Sequence, residues 1–466
     1  MFQKPDTNLT NALRAACGAE NVITDAETLK PLGRDYTEDL QYEPALAVLP
    51  ATAEEVAAVL KLCNDARIPV YARGAGTGLS AGSLPVYPGV VLVTSRLNRV
   101  LNLDMENFQA TVEPGVINQV FRDQVEALGL YYPPDPASRG SCFLGGNIAH
   151  GSGGPRAVKY GTTRDYVLNL QVALPTGELI WTGANTVKNS TGFNLTQLMV
   201  GSEGLLGVVT KIVFRLVSKP QYDLLMLASF SGAGEAAKAV NEILLTGIVP
   251  SALELMESRG VELSANATQT PFPFQEGAAY YLLIELDGND QEQLYRDAET
   301  LFPALEKCRV MDVLQADTAD QKAKWWKVRR SIGETVKSAS IYKEEDTVVP
   351  RAALPALLTG VKEIGNRYGF ESVCYGHAGD GNLHVNILKN QMTDEQWNVE
   401  LPRGIREIFE LCRELGGTIS GEHGIGLVQK QYLDVVFDPI HFQLMRGIKQ
   451  VFDPNGILNP GKWLEA

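Results

Sequence analysis

Apolar residues recur at helical spacing through TAEEVAAVLKLCNDARI, residues 52–68. Thr52 opens the run and Glu55 follows three positions on, the spacing of a capping box, so a helix is expected there. PVYAR (69–73) then reads as a short strand, and beyond a glycine-rich stretch GVVLVTS (89–95) and QATVEPG (109–115) read as strands as well. NQVFRDQVEALG (118–129) reads as a helix that Gly129 ends. LNLQVAL (168–174) and GVVTKIVFRLV (207–217) have strand patterns, with PTGE turning the chain between LNLQVAL and ELIWTG.

Near Lys219-Pro220 the texture changes to longer helical segments, GAGEAAKAVNEILLTG (232–247) and DQEQLYRDAETLFPALEK (290–307), with the strand YYLLIEL (280–286) between them. This order predicts a second α+β domain of split-βαβ style over about 220–445. The tail VFDPNGILNPGKWL (451–464) resumes the Gly/Pro style of the first half and is expected to pack back onto it. No internal repeat or low-complexity segment appears.

A chain of 50.7 kDa is too long for one ordinary core and predicts two or three domains. A hydrophobic content of 45% and a charged content of 21% are those of a folded soluble protein. The net charge of -14 argues against nucleic-acid or anionic-membrane partners, which need basic patches. There is no apolar run of membrane-spanning length, and MFQKPDTNLT has neither a secretory nor a transit pattern. Cytoplasmic residence is expected, with peripheral association at an inner membrane as the limit. The six cysteines (Cys17, Cys63, Cys142, Cys308, Cys374, Cys412) are scattered singly, without iron–sulfur or zinc spacing, and read as reduced, buried thiols.

In YARGAGTGLSAGSLP (71–85), Gly76 to Ala81 formally match G-x-G-x-x-G/A. A dinucleotide fold needs a helix directly afterwards, and Pro85 and Pro88 leave no room for one. The glycines can still turn backbone N–H groups into one concavity, a nest for phosphate oxygens. SRGSCFLGGNIAHGSGGPRAVKYG (138–161) and VGSEGLLGVVTKI (200–212) are further glycine-rich passages. Alone, each suits a turn-rich β region; together they suit an extended ligand laid across backbone.

Three of the five histidines fall in two short glycine-rich stretches, GHAGDGNLHVNI (376–387) and SGEHGIG (420–426). ESVCY and HVNILK read as strands around the turn AGDGN, which brings His377 and His384 close, with Asn386 on the face of His384. With Glu422, two imidazoles and a carboxylate form a ligand set for a divalent ion. Two turn histidines and a surface glutamate fit the same spacing.

RGAGTGLSAG, PPDPASRGSCFLGGNIAHGSGGPRAVKYG, KNSTGFNL and GSEGLLGVVT together resemble the FAD domain of the p-cresol methylhydroxylase/vanillyl-alcohol oxidase superfamily. GHAGDGNLH, SGEHGIG and NPGK resemble the branch that contains the glycolate oxidase flavoprotein subunit, FAD-dependent D-lactate dehydrogenase and D-2-hydroxyglutarate dehydrogenase. The resemblance runs in order along nearly the whole chain. It implies an α+β protein: a two-subdomain FAD-binding domain over 1–219, a ferredoxin-like substrate cap over 220–445, and a segment over 446–466 returning to the FAD domain.

Carried over, Arg73, Gly74, Ala75, Gly76, Thr77, Gly78, Leu79 and Ser80 would hold the FAD pyrophosphate. Pro134, Asp135 and Ser138 would approach the flavin. Gly145, Gly146, Asn147, Ala149, Gly153, Gly154, Tyr160 and Gly161 would line it. Glu203, Gly207 and Val208 would sit near the adenine, and Asn459 of NPGK would join the cofactor set. The first loop has no histidine for covalent attachment, so noncovalent FAD is implied; His150 is expected to be a structural variant and Cys142 to pack. His377, His384 and Glu422 match the metal ligands of the branch, usually of zinc, with manganese in some members.

The implied reaction oxidises a small D-2-hydroxy acid, D-lactate or glycolate ahead of D-2-hydroxyglutarate, to the 2-oxo acid. His423 would take the hydroxyl proton, a divalent ion would acidify that hydroxyl, and flavin N5 would accept the hydride. Arg329, in the pattern W-x-x-R-x-x-I with Trp326 and Ile332, would hold the substrate carboxylate. Asn386 would polarise the substrate beside the metal. Lys343 resembles a substrate-contacting lysine but lies one residue out of register with Asp346. Electrons would pass to a quinone, a cytochrome, an electron-transfer flavoprotein or an iron–sulfur protein, and a homodimer is compatible with the branch. Two rivals remain: a subunit inert without an iron–sulfur partner, and a redox-neutral FAD transferase like alkyl-dihydroxyacetonephosphate synthase.

Overall fold

The computed structural model describes residues 2–37 and 40–464. Its contacts divide the chain into two units. The first contains the chain up to Gly153, Thr162–Lys219 and everything from Glu422 on; the second contains Gly154–Gly161 and Pro220–Gly421.

In the first unit a four-stranded sheet runs in the order Val22–Ile23, Leu46–Val48, Val90–Val93, Val70–Arg73, the last three parallel. The helix Ala53–Asp65 starts as its capping chemistry requires: the Thr52 hydroxyl accepts from the Glu55 amide at 3.1 Å, and the Glu55 carboxylate accepts from the Ala51 amide at 2.7 Å. Val56, Val59, Leu60 and Cys63 bury its inner face against Val48, Val70, Val90 and Leu92. The tail closes the free edge of the sheet. Val70 donates its amide to Ile457 at 2.8 Å and accepts from Asn459 at 2.8 Å, so the tail pairs with the start of the edge strand that leads into the glycine-rich loop.

A second sheet of this unit, antiparallel, runs Val100–Asp104, Gln109–Val112, Val208–Arg215, Val167–Ala173, Leu179–Trp181. The two sheets are the two α+β subdomains expected of the FAD domain.

The second unit is built on a seven-stranded antiparallel sheet. Four strands, Tyr222–Phe230, Ala252–Glu257, Tyr280–Gly288 and Asp312–Gln315, alternate with the helices Ala233–Leu245 and Gln291–Lys307 as β-α-β-β-α-β. In the sheet they lie fourth, first, third, second, which is the ferredoxin-like order. Glu371–Gly376, Asn382–Leu388 and Tyr342–Val348 extend the sheet beyond Ala252–Glu257. One face is covered by the packed helices Ser258–Ala267 and Ala319–Ala339, which bury Trp325, Trp326, Val328 and Ile332 over Leu227, Met256, Tyr281 and Tyr375.

The chain passes back into the first unit at Glu422, earlier than the return near 446 that sequence texture suggested. The reason is a set of long-range bonds: Glu203 holds the amides of Ile425 (2.8 Å) and Gly426 (2.7 Å), and the Leu427 amide bonds to the Ser80 carbonyl at 2.8 Å. Lys449, within the helix Pro439–Phe452, then anchors that helix by donating to the carbonyls of Leu205 and Leu458. Gly154–Gly161 go the other way. They join the second unit because Arg156 pairs with Glu285 at 2.7 Å and Lys159 with Asp287 at 2.5 Å.

Candidate active site

The strand Val70–Arg73 delivers the chain into a run, Gly74 to Leu79, that is half-buried along its whole length. Gly76 has φ +74°, and a Cβ there would stand 2.2 Å from an Arg73 guanidinium nitrogen, so the loop folds tightly over the arginine. Arg73 is buried, donates to Ser83 Oγ at 3.3 Å, and has its pKa lowered by that burial. Gly74 approaches Phe143 and the Gly146 amide without filling the space between. Ser80 Oγ and Asn459 Oδ1 are buried with no hydrogen-bond partner among the described residues. A buried cation, bare backbone and orphaned polar atoms are what a diphosphate-bearing cofactor would satisfy.

The loop is held from behind. Lys462 is fully buried and donates Nζ to the carbonyls of Ala81 (2.8 Å) and Leu84 (2.6 Å). Burial lowers its pKa to about 8. Asn459 donates to the carbonyls of Gly82 (2.9 Å) and Glu203 (2.8 Å). Thus NPGK supports the phosphate-type loop through carbonyls, a role its sequence did not announce.

The other cofactor candidates are placed as follows. Asn118 donates to the Pro134 carbonyl at 3.3 Å, and Asp135 is buried between Arg139 (3.1 Å) and Arg122 (3.5 Å). The Ser138 carbonyl caps the turn into Cys142, a buried thiol whose pKa burial raises. Gly145, Gly146, Asn147 and Ala149 lie in the short helix Leu144–His150; a Cβ on Gly145 would meet Pro114 Cβ at 2.5 Å, whereas above Gly146 there is open space. A Cβ on Gly153 would lie 3.0 Å from Glu422 Oε2. The Glu203 carboxylate is taken up by the amides of Ile425 and Gly426. Gly207 packs against Val172, and Val208 starts a core strand. Gly154, Tyr160 and Gly161 belong to the second unit, where the Tyr160 hydroxyl donates to Asp287 at 2.7 Å. His150 packs against Gly78, Gly82 and Gly424, its Nδ1 buried without a partner among the described residues.

In the second unit the hairpin expected around AGDGN is present. Gly381, at φ +79°, turns the chain where a Cβ would lie 1.9 Å from the Val349 carbonyl oxygen, so glycine is required there. The register pairs His384 with Tyr375 and Asp346, and Asn386 with Val373 and Glu344. Paired residues share a face, so His384, Asn386, Asp346, Glu344 and Tyr375 line one side of the sheet. The rings of His377 and His384 meet edge-on with centroids 5.3 Å apart, and ring nitrogens of the two lie within 4.8 Å of each other.

Each imidazole is backed by a buried carboxylate. His377 Nδ1 lies 2.9 and 3.0 Å from the two oxygens of Glu254, and His384 Nδ1 lies 3.5 Å from Asp346. Asp346 is itself fixed by Asn382 (2.8 Å), Ser420 (3.0 Å) and the Gly421 amide (2.8 Å). At His377, a carboxylate hydrogen-bonded to Nδ1 selects the tautomer that leaves the Nε2 lone pair for a metal, the usual arrangement behind metal-binding histidines. The donor set fits a divalent ion.

Arg329 projects from the helix Ala319–Ala339, is buried, pairs with Glu254 at 2.5 Å and stacks 5.0 Å from the centre of the Tyr375 ring. Burial alone would raise the Glu254 pKa, but Arg329 and His377 together hold it low. The Arg329 Nε is buried with no partner among the described residues, and neither amide atom of the fully buried Asn386 has one. Lys343 is elsewhere: it alternates with Glu344 on its strand, faces the opposite side of the sheet and lies 5.9 Å from the Trp397 ring. The position one residue on, Glu344, shares the face of His384 and accepts from the Tyr375 hydroxyl at 3.2 Å. Glu422 and His423 follow directly after Gly421 and open the returning segment of the first unit. Glu254, Asp346 and Lys462 were not singled out from sequence, although ALELME does set an acid inside an otherwise apolar strand.

Residues 44–183 match the family described as FAD binding domain, and residues 219–463 match FAD linked oxidases, C-terminal domain. A D-lactate dehydrogenase of Anaerostipes hadrus is 36% identical over 92% of this chain and 93% of its own length. Glycolate oxidase subunit GlcD of Escherichia coli K12 is 36% identical over 98% of this chain and 92% of its own. Among solved structures, p-cresol methylhydroxylase with substrate bound superposes with a TM-score of 0.80 at 19% identity, covering 98% of this chain and 96% of the other, which shows the fold. No helix among the described residues is long and apolar enough to cross a membrane. By family and by fold, this chain belongs to the FAD-linked oxidases and is a flavin-dependent oxidoreductase with a p-cresol methylhydroxylase-type FAD domain.

Proposed function

We propose that the protein oxidises a small D-2-hydroxy acid, D-lactate or glycolate ahead of D-2-hydroxyglutarate, to the 2-oxo acid. The observation that carries the reading is the pair of imidazoles, each backed by a buried carboxylate, on the same sheet as an orphaned buried amide and beside a buried arginine. Relatives named for D-lactate and for glycolate support the substrate class.

Bound FAD, held noncovalently by the glycine-rich loops, would supply the hydride acceptor, and a divalent ion, zinc or manganese, would supply Lewis acidity. We assign His377, His384 and Glu422 as the residues that hold the ion. Arg329 then binds the substrate carboxylate through its unpartnered N–H groups, and its rigid fork sets the orientation of the acid. Asn386 satisfies its buried amide on the substrate oxygens. His423, next to Glu422 in sequence, takes the hydroxyl proton. The name of the Escherichia coli relative, a subunit, supports a second reading in which turnover needs a separate electron-accepting partner.

The test is anaerobic. The purified, FAD-replete protein is mixed with D-lactate, L-lactate, glycolate and D-2-hydroxyglutarate while the flavin absorbance is followed. Bleaching by D-lactate or glycolate and not L-lactate, lost on chelation and restored by zinc or manganese, is the expected outcome. A flavin that no acid reduces in metal-replete protein sinks the assignment; reduction without turnover of artificial dyes selects the partner-dependent form.

A further inference from the structure

The strand Ala252–Glu257 places Ala252, Glu254 and Met256 on the sheet face that the helix Ala319–Ala339 covers. Ala252 and Met256 pack in that core, and Glu254, between them, is fully buried. A carboxylate there costs several kcal/mol of desolvation unless it is paired, on the order of what a buried ion suffers in general. Its partners are His377 Nδ1 at 2.9 and 3.0 Å and the Arg329 guanidinium at 2.5 Å. Packing by itself calls for no carboxylate at this position, since a buried ion pair as a whole contributes little net stability over apolar residues of similar volume. What an apolar residue could not do is orient two polar groups at once.

We propose that Glu254 is a positioning residue of the site, an anchor shared by a metal ligand and the substrate-carboxylate clamp. The inference rests on the metal-dependent hydroxy-acid reading above. Accepting from Nδ1–H, Glu254 fixes the His377 tautomer so that Nε2 carries the lone pair offered to the ion. Drawing one edge of the Arg329 guanidinium, it holds the flat group against the Tyr375 ring and leaves Nε free for an anion. Metal affinity and anion affinity therefore depend on one carboxylate. Asp346 stands 3.5 Å from His384 Nδ1 and is itself held by Asn382, Ser420 and the Gly421 amide.

The experiment titrates chelator-stripped, FAD-replete protein with Mn2+, reading free ion by electron paramagnetic resonance, for wild type, Glu254→Gln and Glu254→Leu. Flavin content and thermal midpoint are measured alongside. Removing a partner behind a metal-binding histidine weakens the metal by about 10–100-fold, so roughly tenfold is expected for Gln, which keeps an acceptor, and roughly 100-fold for Leu, which does not. Flavin content should stay unchanged, since the loop Gly74 to Ser80 and the helix Leu144–His150 lie in the other unit. In metal-saturated protein, both variants should also need a higher D-lactate concentration for half-maximal flavin reduction, a KM-type effect that poorer metal loading alone would not produce. Gln, which keeps an acceptor for Arg329, is the milder variant, and the thermal midpoint separates loss of fold from loss of metal binding. Unchanged Mn2+ affinity in both variants overturns the inference while leaving the metal reading intact; a wild type that binds no Mn2+ overturns both.

Discussion

Lys462→Met removes the buried ammonium beneath the glycine-rich loop. Two effects are separable. The carbonyls of Ala81 and Leu84 lose their donor, and leaving a buried acceptor unpaired costs about 1–3 kcal/mol each. Against this, the ammonium pays to be buried: its pKa falls from 10.5 to about 8 because burial disfavours the charged form. A difference of that size is on the order of 3 kcal/mol between the protonation states. The sign follows from proton counting. Between about pH 8 and 10.5 the unfolded chain binds a proton at Lys462 that the folded protein has lost, so wild-type stability gains with rising pH across that window. Below it both states are protonated and the burial penalty stands in full. Methionine does not titrate, so wild type should gain stability relative to Lys462→Met from pH 8 to 10.5 by up to about 3 kcal/mol. Denaturant unfolding of flavin-free protein at pH 7, 8, 9 and 10, followed by tryptophan fluorescence, measures it. Parallel stability profiles for the two proteins would refute the reasoning, as would a wild type that loses ground to the variant with rising pH.

Gly426→Ala should destabilise by at least about 1–2 kcal/mol from the left-handed backbone alone, and by more from its Cβ, which would stand 2.0 Å from the Ser80 carbonyl oxygen; thermal unfolding checks it. Arg329→Lys keeps the charge and loses the fork, so the KM for the hydroxy acid should rise about 10–100-fold with a smaller change in kcat, by steady-state kinetics with an artificial dye. Glu203→Gln replaces an acceptor of the Ile425 and Gly426 amides with an amide group that itself donates; flavin reduction should slow at least tenfold, by roughly 1.4 kcal/mol or more, as the segment carrying His423 loosens, and stopped-flow bleaching would show it. His423→Gln should slow flavin reduction and abolish the fall in rate toward low pH that protonation of the base causes, while Mn2+ binding persists; loss of metal binding would instead make His423 a ligand.

The sequence by itself determined the local events. Thr52 caps the helix start through the Glu55 amide, with the Glu55 carboxylate reaching back one residue further, to the Ala51 amide, than a capping box would, and AGDGN specifies the turn that joins His377 to His384. Prolines after the first glycine-rich loop excluded a dinucleotide helix, and the loop indeed continues to the strand Val90–Val93 without one. These are decided by contacts a few residues apart. Tertiary structure decided the rest. Glu254 meets His377 across 123 positions, and Glu203 meets Ile425 and Gly426 across more than 220, separations over which no periodicity carries information. Register also mattered: because strand side chains alternate, a one-residue offset sends Lys343 to the far face and puts Glu344 beside His384. The boundary at Glu422 was hidden for a related reason. The helices Leu401–Glu414 and Pro439–Phe452 are both amphipathic, and what separates them between two units is a set of long-range bonds from Glu203, Ser80 and Lys449 that only the folded chain brings together.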